Sequence, residues 1–325
     1  MTTSGGRPFD SVNAFFPSGL VVVSPLLHVE RLEEYAPGWE LQVRQARKSG
    51  PLHFALQAIH TPRVQIGENR FTSALLSRGA IPKGCVGLVH VQTRGIVNYQ
   101  NETYRPGELV LVTPEEEIDM VIGTENVTHT VVVEARLFGE CFLAHYGEPF
   151  ERGTANRRFK LCVDEDDAYT RFIRRWMRFF AEAERFEQAS FDARHFEERF
   201  LHTLFSFFRF EKAQRGGSDA LLLKRARELL HENLDMCLKI NEMSEMLGVS
   251  QRTLEYAFKK NLGMTPKNYL QILRLHAARE ELLQADPACT HVSDVAIRYA
   301  FFHMSHFAAE YKKLFGETPA QTLRR

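Results

Sequence analysis

The chain has 325 residues, 44% of them apolar and 25% charged, which suits two or three ordinary folded domains. Its 41 Lys and Arg are balanced by 41 Asp and Glu, which excludes a protein that coats nucleic acid by net charge and leaves room for local basic faces. The five cysteines are scattered without a C-x-x-C pair, and the apolar run at 20–29 is interrupted by Ser24, Pro25 and His28, so a reducing, cytoplasmic setting without export or membrane insertion is expected.

From about Pro51 to Phe138 the chain alternates short Val, Leu and Ile runs with Gly, Pro and Asn turns, as in ALQAIH, VGLVHVQTRGIVNYQ, GELVLVTP and HTVVVEARLF. Such spacing predicts strands of an antiparallel sandwich or barrel, able to enclose a small-molecule pocket. A metal-dependent cupin enzyme would need an H-x-H step followed by Glu. His53, His60, His90 and His129 are too dispersed for that, and no P-loop, dinucleotide fingerprint or nucleophile elbow is present. We therefore expect no catalytic residue, no metal and no cofactor.

Residues 164–214 read as helices. Phe172, Ile173, Trp176, Phe179 and Phe180, then Phe196, Phe200, Leu204, Phe207 and Phe208, recur at steps of three and four. So wide an aromatic face needs a cover, either the sheet or a second copy of the chain in a homodimer. His195 and His202 share a helix face without a further ligand at metal spacing. Gln214 to Ser218 is polar and Gly-rich, and the domain boundary is placed there: 1–214 forms a β-rich sensor or dimerisation domain with the helical segment 164–214, and 218–325 forms a second domain.

The tail contains an internal echo. FKKNLGMTP at Phe258–Pro266 returns as YKKLFGETP at Tyr311–Pro319, 53 residues later. In the first copy Leu254, Phe258 and Leu262 face inward on a helix capped by Ser250, which turns Arg252, Tyr256, Lys259 and Lys260 outward with Glu255 on the flank. In the second, Phe307, Tyr311 and Leu314 face inward, leaving Ser305, Ala309, Lys312 and Lys313 outside, flanked by His306. Residues 267–283 between them read as one helix about 25 Å long, enough to set two reading helices roughly one DNA turn, about 34 Å, apart. The lysine pairs suit phosphates, whereas Arg252, Glu255, Tyr256, Ser305, His306 and Ala309 are placed to meet base edges.

Ala296, Phe301, Ser305, Phe307, Tyr311, Lys312, Lys313, Gly316, Thr318 and Pro319 fall at the intervals of a known signature, and the tail from Ser218 to Arg325 resembles the DNA-binding domain of AraC/XylS-type transcription regulators. Ala300 stands where that pattern has Gly, and Ala309 where it has a basic side chain. The resemblance implies an α+β chain with a β-rich, cupin-like or sandwich sensor domain, then an all-α domain of two helix-turn-helix units joined by a linker helix. It further implies binding to double-stranded promoter DNA and altered recruitment of RNA polymerase, usually as an activator; the sheet pocket and the aromatic helix face point to a small-molecule effector and a homodimer as further candidate partners. The competing reading is a small-molecule-binding cupin-like module, or a metal-dependent cupin enzyme, with incidental DNA affinity.

Overall fold

The computed structural model describes residues 16, 19–26, 36, 38–46, 54–93, 95–105, 107–114, 116–150, 157–161, 166–183, 193–212, 218–236 and 238–325. The inferred linker at 214–217, His53, Cys162 and Cys237 lie outside them. The first half runs β1 (Gly19–Leu26), β2 (Glu40–Gln45), β3 (Phe54–His60), β4 (Val64–Phe71), β5 (Leu75–Ala80), β6 (Cys85–Gln92), β7 (Val97–Tyr99), β8 (Glu102–Tyr104), β9 (Glu108–Val112), β10 (Ile118–Ile122) and β11 (Asn126–Glu134). Helix α1 (Ala135–Tyr146), β12 (Arg157–Leu161), α2 (Asp166–Ala183), α3 (Ala193–Ser206) and β13 (Phe208–Lys212) follow.

These strands form two antiparallel sheets. The larger has the order β1-β3-β4-β11-β6-β9-β12-β13 and the smaller β2-β5-β10-β7-β8. Strand β6 reads as a nearly unbroken apolar run, and β11 is buried along most of its length, because both faces of the larger sheet are covered. One face packs Val89, Val91, Val110, Val112 and Val132 against Val97, Ile118, Met120 and Ile122 of the smaller sheet. The other packs Ile66, Val86, Leu88, Val131 and Val133 against Phe138, Phe142, Ile173, Phe200, Leu204 and Phe205 of the helices.

The aromatic face of α2 and α3 is thus covered from within the chain, although Phe179 remains exposed. Two sequence expectations change. ARLF belongs to α1 rather than to the preceding strand, and the predicted helix ends at Ser206. From Phe208 the residues alternate aromatic and charged, the period of a strand, and β13 pairs with β12 from Phe208↔Leu161 to Lys212↔Arg157.

The two histidines that looked dispersed meet across strands, since His129 on β11 is the register partner of His90 on β6 and their rings stack 6.0 Å apart. His129 also lies 2.9 Å from Glu68, which accepts from Arg174 on α2 at 2.7 Å. Burial alone would raise the Glu68 carboxyl, but bonds from His129, Arg174 and Arg70 bring it down to about 2. Among the described residues no group of three or more His, Cys, Asp or Glu is arranged to hold a metal ion, and no helix is long and apolar enough to cross a membrane.

The second half is helical: α4 (Ser218–Glu232), α5 (Ile240–Met246), α6 (Gln251–Leu262), α7 (Pro266–Gln284), α8 (Val292–Arg298), α9 (Met304–Phe315) and α10 (Pro319–Leu323). Helix α7 is buried around most of its circumference because it serves two cores. Tyr269, Leu270, Ile272 and Leu273 pack with Leu223, Met243, Leu254 and Phe258, while Leu275, Ala278 and Leu282 pack with Val295, Phe307, Tyr311 and Leu314. The first of these cores also takes in Ala46, Ala74, Leu76 and Val121, so the outer face of the smaller sheet seats directly on the helical half.

Candidate nucleic-acid interface

A short helix, a tight turn and a twelve-residue helix occur twice, and the local chemistry explains each step. Helix α5 ends with Gly248 at φ 68°, whose N–H donates to Glu245 O while Val249 N–H donates to Ser244 O. Ser250 then caps α6, accepting from Thr253 N–H at 3.1 Å. Gly263 and Gly316 end α6 and α9 in the left-handed conformation, and the repeated Thr-Pro opens the next helix: Thr265 and Thr318 accept from Asn268 and Gln321 N–H, with Pro266 and Pro319 at the first helical position.

The turn after α8 repeats the two-bond pattern, Ala300 N–H to Ile297 O and Phe301 N–H to Ala296 O, each at 2.9 Å. Here the left-handed position holds Ala300, at φ 60°, where a side chain costs about 1 kcal/mol or more. Ala300→Gly should therefore raise stability by about 0.5–1 kcal/mol after the added freedom of the unfolded chain is counted, read as a higher thermal midpoint. A lower midpoint would show the turn to be unstrained.

On α6, Leu254, Phe258 and Leu262 are buried and Arg252, Tyr256, Lys259 and Lys260 are exposed, with Glu255 half-buried on the flank. On α9, Phe307, Tyr311 and Leu314 are buried and Ser305, His306, Ala309, Lys312 and Lys313 are exposed. The expected side chains thus share two outward faces, one on α6 and one on α9. Within the described residues Arg252, Lys259, Lys312 and Lys313 make no ion pair, whereas Lys260 is held by Asp219 on α4 at 2.7 Å and lies 5.7 Å from the centre of the Tyr256 ring. Glu255 accepts from Gln251 at 2.9 Å.

The smaller sheet meets the helical half at other side chains, on α6 through Asn261. Arg227 on α4, 6% exposed, donates to the Tyr269 hydroxyl at 3.0 Å and to Asn101 Oδ1 at 3.1 Å, and it pairs with Asp119 on β10. His276 on α7 donates to Gln45 O at 2.9 Å, Thr103 to Asn261 Oδ1 at 3.0 Å, and Arg44 to Glu280 at 2.7 Å. No local pattern announces these residues, since each partner lies far away in sequence.

A family model described as a helix-turn-helix domain matches residues 243–325. The probable thc operon regulatory protein of Rhodococcus erythropolis is 38% identical over 103 residues, covering 32% of this chain and 31% of that protein. XylDLEGF operon transcriptional activator 1 of Pseudomonas putida is 35% identical over 102 residues, covering 31% of each. The C-terminal helices are similar to those of AraC/XylS-type regulators. The chain spans about a third of the length of the curated relatives it matches. A solved AraC-type transcriptional regulator from Chromobacterium violaceum is 30% identical, covering 32% of this chain and 90% of its own, with a TM-score of 0.30.

Proposed function

We propose that this chain is a sequence-specific transcription regulator that binds double-stranded promoter DNA through two helix-turn-helix units, α5–α6 and α8–α9, placed in successive major grooves. The observation that carries the reading is the pair of exposed faces, Arg252, Tyr256 and Lys259 on one helix and Ser305, Ala309, Lys312 and Lys313 on the other, fixed to a single nineteen-residue helix that enters both cores. At 1.5 Å per residue that helix is about 28 Å long, comparable with one turn of the duplex. Lys259, Lys312 and Lys313 are assigned to phosphates, which position the protein without carrying sequence information, and Lys260 contributes less because Asp219 already engages it. Activation through recruitment of RNA polymerase, a homodimer, a non-enzymatic role and a cytoplasmic location complete the proposal. The names of the matched regulators support the regulatory part.

The cupin-like sandwich is proposed as the sensor for a small effector. Between its sheets lies a cavity of about 100 Å³ lined by Leu41, Val43, Leu56, Ala58, Met120 and Ile122, with Gln65, Asn69, Ser77, Thr128 and Thr130 among its polar groups. The lining carries no charged side chain, which suits an uncharged occupant.

Selection of fragmented genomic DNA by the full-length protein, followed by footprinting, tests the reading. Protection of two major-groove segments one turn apart is expected, with a specific affinity exceeding the non-specific one by about 10³ or more at physiological salt. Salt-erased binding without a preferred site would refute it. Within that site, Arg252→Ala should lower discrimination at one base pair by about 1–3 kcal/mol, more than Ser305→Ala, because only the guanidinium can make the bidentate bonds that mark guanine. Equal losses from both, across single-base operator variants, would remove that ranking.

A further inference from the structure

We propose that the second reading helix selects thymine, by apolar contact of Phe302 and Ala309 with the base's C5-methyl group. This rests on the DNA-reading assignment of α9 made above.

The two copies are not superimposable along their whole length. Helices α5 and α8 begin at Ile240 and Val292, 52 residues apart, whereas α6 and α9 begin at Gln251 and Met304, 53 apart, so the second turn holds one residue more. The apolar residue directly after the left-handed position is turned inward in both copies: Val249 packs against the first core, and Phe301, 9% exposed, joins the second. The additional residue is Phe302. It is 62% exposed and stands immediately before the N-cap, His303.

Matched at their helix starts, the first face presents Arg252, Glu255 and Tyr256 where the second presents Ser305, Ala308 and Ala309. The guanidinium and phenol are replaced by a hydroxyl and a methyl, and an aromatic ring is added at the N-terminal edge. Nothing on the line from Phe302 through Ser305 to Ala309 can form the paired bonds that identify guanine or adenine, and the Ser305 hydroxyl accepts donors and acceptors alike. Lys312 and Lys313 continue the same exposed face, so this apolar stretch is carried against DNA by the charges beside it. In the major groove the thymine methyl is the apolar group on a base edge, and cytosine lacks it. The side chains that a smaller reading surface omits also let the helix approach the bases closely, as methyl contact requires.

The test uses full-length protein and its selected operator, with each thymine of the segment protected by α9 replaced in turn by deoxyuridine, which removes only the C5-methyl. Affinity should fall about fourfold at one or two positions, the worth of burying one methyl group. In Phe302→Ser or Ala309→Gly that fall should shrink to within twofold. Both positions are exposed, and thermal melting of each variant verifies folding. Specific binding that is indifferent to deoxyuridine at every position would overturn thymine selection while leaving the DNA-reading assignment in place. Loss of transcriptional response in Phe302→Ser with an unchanged deoxyuridine profile would place the ring against a protein and overturn it equally. Failure to find any preferred operator would overturn the underlying assignment, and this inference with it.

Discussion

Arg227→Ala is expected to destabilise the folded chain by about 3–5 kcal/mol, the usual cost of removing one partner from a buried ion pair. The guanidinium is almost completely buried and ties together three elements: α4, which carries it, α7 through the Tyr269 hydroxyl, and the smaller sheet through Asn101 and Asp119. Truncation leaves the Asp119 carboxylate without its counter-ion, and Asn101, 6% exposed, without a donor. Arg227→Met combined with Asp119→Leu should recover more than half of the loss, because the unpaired charge is then gone as well. Urea denaturation at pH 7.5 measures both. A loss under about 1 kcal/mol in the single variant would show that water satisfies Asp119 and that the network adds little.

Acid should act on the same junction. Burial holds His276 down to about 3, only partly opposed by its bond to the Gln45 carbonyl. Burial, then the nearby Arg78, Arg227 and Arg44, holds His231 at about 4, and, apart from that junction, burial alone brings His60 at the end of β3 to about 4. A histidine whose pKa is lower in the fold than in the unfolded chain favours the fold fully above about 6.5, and that stability is lost as pH falls towards the folded value. Each group contributes a slope of up to about 1.4 kcal/mol per pH unit across that window. Stability should therefore drop by several kcal/mol between pH 6.5 and 4.5. Glu68 does not contribute there, since its depressed pKa gives stability that is present above about 4.5 and lost only towards about 2. His276→Gln keeps a donor for Gln45 and should flatten the acid limb by about one proton. A profile flat from pH 7 to 5, or a slope unchanged in that variant, would show these rings to be protonated without penalty.

How legible all this is in the sequence follows from the range over which each feature is determined. Helices α6 and α9 are specified within a dozen residues. A 3.6-residue period sends Leu254, Phe258 and Leu262 inward and leaves Arg252 outside, and the flanking Ser250 and Gly263 fix where α6 starts and stops. Strand β13 is less plain, because Phe207 and Phe208 continue a helical spacing just where FRFEK takes up alternation, and only pairing with β12 decides between them. Arg227 carries no local mark at all, its partners on the sheet lying 108 and 126 residues earlier. His90 and His129 look unrelated until the β6–β11 register sets them opposite each other. Phe302 could have been noticed, since the spacing between the copies changes by one across the turn.

The smaller sheet is a wall one backbone thick with different business on its two sides. Along β10, Ile118, Met120 and Ile122 border the cavity, while Asp119 and Val121 between them meet the helical half, through Arg227 and the core around Leu223. A molecule that fits the cavity only by pushing this strand outward must press on α4 with no intervening layer to absorb the strain. For any such occupant, size rather than charge would set how hard β10 bears on α4.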